Sequence, residues 1–211
     1  MAIKGKVGGS FEMTPAGVHK ARCVRVVDMG TQHNVKFDAL KRKVMFMFEL
    51  PKTQMADGKP FAICRSFTLS MHKKSNLRPF LESWRGSVFK DDEAGNFDIS
   101  KLAGIPCTLN IIHDGDYAKI KGIMPCKKSE CPKQINDSFI FDLDDYSDER
   151  FGQLSEKMQE YIKITPEWAK LNSKKNRKGE EIEEIEETEE IEEDSFVSEL
   201  EKEEEEEGAP F

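Results

Sequence analysis

The sequence predicts a mainly β fold with interspersed helices: a five-stranded Greek-key barrel with a helix between its third and fourth strands. Three observations point there. Short runs rich in β-branched and aromatic residues recur with partial period-two alternation. One apolar stripe of helical period interrupts them after the third run. Clusters of Gly, Pro, Asp and Asn separate the runs as turns.

Thr14-Pro15-Ala16-Gly17 is a turn signal, and Val18 to Met29 reads as the first strand. The polar stretch from Gly30 to Leu40 reads as a loop. Lys43 to Leu50 is the second strand, with Val44, Phe46, Phe48 and Leu50 on one face and Lys43, Met45, Met47 and Glu49 on the other. Pro51 to Pro60 is a hairpin loop and Phe61 to Ser70 the third strand. Asn76 can cap a helix with Pro79 in its first turn, where a missing N–H costs nothing. Leu77, Phe80, Leu81 and Trp84 share one stripe of it, and Gly86 suits its end. Val88 to Ala103 reads as irregular. Ile105 to His113 and Tyr117 to Met124 form a last hairpin, with Ala118 and Ile120 opposed to Tyr117, Lys119 and Lys121. This element order is that of the oligonucleotide/oligosaccharide-binding (OB) fold.

Beyond the barrel, Ser138 to Leu143 adds a short strand, and Leu154, Met158, Tyr161 and Ile162 form a helical stripe ending at Thr165-Pro166. The expected organisation is a mobile start (1–13), a barrel domain with a helical extension (14–170), a basic linker (171–179) and an acidic tail (180–211). The tail is too poor in apolar residues to fold alone and is expected to be disordered.

Charge divides the chain more sharply than composition does. From Glu180 on, 18 acidic residues face one basic residue, a net −17. The first 179 residues then hold 31 basic and 22 acidic residues, +9, within the overall −8. A basic body with an acidic tail is the asymmetry expected of a nucleic-acid partner. Five cysteines without a disulfide framework, and no apolar leader or span, point to a reducing compartment and no membrane.

The tail does not fade out. Glu203, Glu204, Glu205, Glu206 and Glu207 lead into Gly208-Ala209-Pro210-Phe211. A terminal ring and carboxylate can be captured together by a pocket with an apolar floor and a basic rim. On these residues the chain resembles the single-stranded DNA-binding proteins of bacteria and phages, whose acidic tails end in Pro-Phe or Phe. Gly208-Ala209 departs from the bacterial tip, where acidic residues run closer to Pro-Phe. The layout of the body and the Pro166-Glu167-Trp168 region look like phage replication proteins. The resemblance implies non-specific coating of single strands in DNA replication, recombination and repair, in the bacterial cytoplasm of an infected host. Glu203 to Glu207, Pro210 and Phe211 would recruit polymerase, helicase or recombination factors. A polyanion tethered beside a cationic groove also competes for it, so the tail is expected to occlude the groove partly until DNA displaces it.

Non-specific single-strand binding needs cations for phosphates and aromatic faces for bases. The candidates are Lys20, Arg22 and Arg25 on the first strand, Lys41, Arg42 and Lys43 entering the second, and Arg65 on the third. Lys73, Lys74 and Arg78 surround the helix start, and Lys119 and Lys121 share the Tyr117 face of the last strand. Phe67, on the Arg65 face, and Tyr117 are the stacking candidates. Phe46, Phe48 and Trp84 belong to the core by their periodicity. Phe37 in the polar loop is left open.

Other chemistries are poorly supplied. Cys126 and Cys131 have no second Cys/His pair to complete a zinc site. Asp142, Asp144, Asp145 and Asp148 suggest a metal-dependent nuclease, but acids before a helix are more often caps and dipole partners. An acidic interaction protein or nucleic-acid mimic, whose body ignores DNA, is the other alternative. No cofactor and no enzymatic activity are expected, and a homodimer is left open.

Overall fold

The computed structural model describes residues 12–34 and 38–173. The expectations for Phe37, the first eleven residues and the acidic tail with Pro210 and Phe211 fall outside these. The chain divides after Thr165 into two units. In the second, residues 166–173 are helical and the Ser173 hydroxyl donates to the Ala169 carbonyl (3.0 Å).

The first unit is mainly β with a few helices. Its strands are β1 (Gly17–Asn34), β2 (Ala39–Gln54), β3 (Pro60–Thr68), β4 (Pro106–Asp114), β5 (Tyr117–Pro125) and β6 (Phe139–Phe141). Helix α1 (Leu77–Arg85), the short α2 (Asp91–Gly95) and a 3-10 turn (Ile99–Leu102) separate β3 from β4. Two more helices, α3 (Asp148–Gly152) and α4 (Glu156–Lys163), follow β6. The sheet order is β3-β2-β1-β4-β5, with antiparallel neighbours, and β6 adds to β1 in parallel.

β1 organises this sheet. Along one edge it pairs with β2 from Arg22 to Asn34. Along the other it pairs first with β4, from Gly17 to Arg22, and then with β6, from Arg25 to Val27. Between these partners Cys23 donates to the Ile105 carbonyl (3.1 Å) and accepts from the Gly104 N–H (2.6 Å). The handover therefore leaves no backbone polar group of Cys23 unpaired in the buried centre.

The stretch from Gly30 to Leu40 is not one loop, as its polarity suggested. β1 continues to Asn34 and β2 begins at Ala39, with Thr31 facing Arg42 and His33 facing Leu40. A bulge between Asp28 and Thr31 makes this possible. Gly30 sits there at φ +66°, and a Cβ on it would lie 2.8 Å from the Thr165 methyl. Asp28 is buried beneath the bulge; it accepts from Gly30 N–H (3.0 Å), from the Arg42 guanidinium (2.5 Å) and from Leu143 N–H (3.4 Å).

The core is aromatic. Val44, Phe46, Phe48 and Leu50 are buried, as their alternation predicts. Phe46 meets Phe67, Phe80 and Trp84 at centroid distances of 5.9, 6.5 and 6.3 Å. The α1 stripe Leu77, Phe80, Leu81 and Trp84 supplies the other half, and Trp84 Nε1 donates to the Pro106 carbonyl (3.0 Å). Gly86 ends α1 at φ +76°. Asn76 stands at the N-cap position without capping; its backbone is already helical, and the Ser75 hydroxyl accepts from Arg78 N–H instead (3.4 Å).

The second face of β2 is covered as well, which alternation did not anticipate. Glu49 is fully buried and accepts from Ile135 N–H (2.6 Å), Asn136 N–H (2.9 Å) and the Asn136 amide (2.5 Å). Three donors compensate the desolvation of that carboxylate. The Gln32 amide likewise donates to the Tyr161 carbonyl of α4 (2.9 Å). Val88 to Ala103, expected to be irregular, holds α2 and the 3-10 turn, tied to α1 by Arg78.

Phe46→Ala is expected to cost about 3–5 kcal/mol, because a ring packed against four others leaves a cavity that cannot collapse. A urea titration should show the midpoint falling with an unchanged slope.

Candidate functional site

The body's cations sort into two groups once their partners are visible. Arg22 is a structural clamp. Its guanidinium donates to the carbonyls of Pro132 (2.6 Å), Gly104 (3.0 Å) and Cys131 (3.2 Å), pinning the 126–136 segment to β1. Arg25 donates to the Gln153 carbonyl (3.3 Å) and lies 5.0 Å from the Phe139 ring centroid. Lys20 pairs with Glu130 (3.7 Å) and donates to the Thr108 hydroxyl (3.3 Å). Arg42 is held by Asp28 and by Asp144 (2.9 Å), and the Asp28 hydrogen bond above all raises its pKa. Arg78 is buried between Asp91 (2.9 Å), Glu82 (3.1 Å) and the Phe89 carbonyl (2.6 Å). Arg22, Arg42 and Arg78 hold the fold together through buried partners, whereas Lys20 and Arg25 on β1 meet partners nearer the surface.

A second group converges. Lys41, Lys43, Arg65, His72 and Lys74 line a furrow of about 550 Å³, with Ser66, Thr68, Ser70 and Ser75 between them. No acidic side chain is among its described lining residues. Lys41 and Lys43 come from β2, Ser66 and Thr68 from β3, the strand at the end of the sheet order, and Ser70 lies just beyond it. Lys43 and Ser66 also border an adjoining hollow of about 380 Å³ whose far wall is Lys157, Met158 and Tyr161 of α4. The Tyr161 hydroxyl lies 3.5 Å from Lys43 Nζ. Lys73 borders a different neighbouring hollow and pairs there with Asp91 (2.8 Å).

Two aromatic expectations change. Phe67 was read as a solvent-facing platform because it shares a face with Arg65. That face is the core side: both residues lie opposite Phe46 and Val44 of β2. Phe67 borders the furrow but is only 5 % exposed, with its ring packed 4.6 Å from Phe80, so it offers a base little surface. Arg65 reaches out along this apolar stack, with its guanidinium 4.9 Å from the Phe67 centroid, and donates to the Ile120 carbonyl of β5 (2.8 Å). Partial burial lowers its pKa. Tyr161, read as part of an apolar stripe, is instead 38 % exposed at the furrow's edge. Its i, i+4 spacing from Lys157 was the available signal.

Tyr117, Lys119 and Lys121 lie on β5 outside the furrow. Tyr117 is 72 % exposed, Lys119 pairs with Asp114, and Lys121 stands where β5 is bulged against β4.

The acidic cluster serves cations of the protein itself. Asp142 and Asp144 approach Arg42, Asp145 pairs with Arg150 (3.2 Å), and Asp148 accepts from the Tyr146 hydroxyl (2.7 Å). The five cysteines are free thiols, and burial pushes those of Cys23 and Cys107 upward. Among the described residues no three His, Cys, Asp or Glu side chains are placed to hold a metal ion. No described helix is long and apolar enough to cross a membrane.

No protein-family model, no curated protein and no solved structure matches the chain.

Arg22→Ala is expected to cost about 1–3 kcal/mol, because three backbone carbonyls lose their donor. Lys74→Ala, on an exposed site, is expected to stay within about 0.5 kcal/mol of the parent. Chemical denaturation of both variants checks this sorting; equal midpoints would make Arg22 a surface cation.

Proposed function

We propose that this chain is a non-enzymatic single-stranded DNA-binding protein that coats strands during replication, recombination and repair. One observation carries the reading: five basic or imidazole side chains line one furrow whose described lining holds no carboxylate, on a body of net charge +9. Phosphates of an extended strand would lie along Lys74, Lys41, Lys43 and Lys157, and a base would stack on Tyr161. Hydroxyl side chains between the cations suit sugar and phosphate contacts, which carry no sequence information.

We further read the body as an OB-type barrel. The order β3-β2-β1-β4-β5, with α1 between β3 and β4, supports this, and Arg65 bridges β3 to β5 where such a barrel would close. In OB folds the face of the second and third strands takes the ligand, and here the furrow lies on β2 and β3. Tyr117 and Lys119, at the hairpin between the fourth and fifth strands, would extend the contact. The acidic tail would recruit replication proteins and lower DNA affinity by charge competition.

Titration of poly-dT against duplex DNA at several salt concentrations tests the reading. We expect preference for the single strand, with log affinity falling linearly in log salt. Lys41→Ala and Lys43→Ala should each lower that slope by about 0.7, and Tyr161→Ala should cost about 1–3 kcal/mol of binding. Equal affinity for duplex, or none, would sink it. Loss of DNA integrity in magnesium would favour a nuclease acting through Asp142–Asp148.

A further inference from the structure

A second hollow, about 420 Å³, shares no lining residue with the cationic furrow or with its α4 extension. Its floor is apolar: Leu81 and Trp84 of α1, with Phe89 and Phe97 beside them. Its rim carries Arg85, Lys101 and Lys128, all exposed, and no carboxylate is among its described lining residues. Arg85 and Lys101 have carboxylate neighbours just outside, Glu93 (2.6 Å) and Asp98 (3.6 Å). Such surface pairs are weak and screened, so an incoming polyanion can share or replace them. The volume is in the range that binds small ligands and side-chain anchors.

A greasy floor under a basic mouth selects a bulky apolar group flanked by carboxylates. The chain's own sequence contains that complement. Glu203 to Glu207 form an unbroken run of acids, and Ala209, Pro210 and Phe211 follow after one glycine. Elsewhere among the acids, Ile182, Ile185 and Ile191 stand singly between glutamates, and Phe196 is flanked by Ser195 and Val197. Phe196 follows the three acids Glu192 to Asp194, and the 203–211 stretch joins a ring to the longest unbroken run of acids.

We propose that this hollow binds the segment Glu203–Phe211 of a second copy of the chain. The Phe211 ring and Pro210 lie against the half-buried Phe97, Leu102 and Ile105, above the buried Trp84 and Phe89, and the glutamates cross the Arg85, Lys101 and Lys128 rim. Because hollow and furrow share no lining residue, the contact persists when the furrow is filled. Copies would therefore be linked through their tails without surrendering the cationic surface. The inference does not depend on what the furrow binds.

A fluorescein-labelled peptide of sequence Glu203–Phe211 tests it by anisotropy. The protein is the full-length chain carrying Phe211→Ala, so that its own segment lacks the anchor. We expect saturable binding that weakens at least tenfold in Lys101→Glu/Lys128→Glu protein. Peptide carrying Phe211→Ala should weaken to a similar degree, a control that cannot unfold the protein. Binding should survive saturating oligo-dT. Sedimentation of the unmodified chain should show self-association that Phe211→Ala removes. Indifference to both the rim reversal and the peptide's ring would overturn the proposal. Displacement by oligo-dT would move the segment to the furrow, and a chain that binds peptide yet stays monomeric would exclude the second copy as its source.

Discussion

The first unit is registered against β1, and the governing constraint is that a buried strand must have both edges hydrogen-bonded. β2 occupies one edge. The other edge passes from β4 to the Gly104-Ile105 backbone and then to β6. That handover falls between Arg22 and Arg25, where the β1–β2 register also breaks, and a second break in the β1–β2 register follows Asp28. At the second break a carboxylate is buried, and its partners come from the bulge itself, from β2 and from the segment after β6. Asp28 thereby joins three parts of the chain that are far apart in sequence.

That constraint also decides where charge is available. Arg22 and Arg42 in the sheet and Arg78 on α1 are drawn into satisfying backbone carbonyls and acids. Beside the outer strand β3, Lys41, Lys43 and Lys74 gather with Arg65 at one furrow. The same logic explains the acids. Glu49 and Asp142 to Asp148 are consumed by the protein's own donors, so the strongly acidic character of the chain is left to the residues from Glu180 onward.

Much of the body was legible from local pattern. The alternation of Val44, Phe46, Phe48 and Leu50 and the α1 stripe from Leu77 to Trp84 identified the buried faces, because burial of apolar area dominates at those positions. The pattern failed where polarity was a poor guide to exposure. Gln32 is buried with partners, so the polar run after Met29 looked like a loop while it was a strand. Arg65 looked like the mark of a solvent face, yet its guanidinium lies over the Phe67 and Phe80 rings and donates to the Ile120 carbonyl.

By itself, then, the sequence determined the mainly β class, the core stripes of β2 and α1, and the charge division between a basic body and an acidic tail. These depend on period, composition and count, which are local or additive. The tertiary structure alone decided which cations are structural and which line the furrow, and that Tyr161 replaces Phe67 as the exposed ring beside it. The reason is distance along the chain: Arg22 finds its acceptors 82 to 110 residues away and Lys43 meets Tyr161 118 residues away. No window of sequence contains both members of such a pair, so their roles emerge only when the strands are in register.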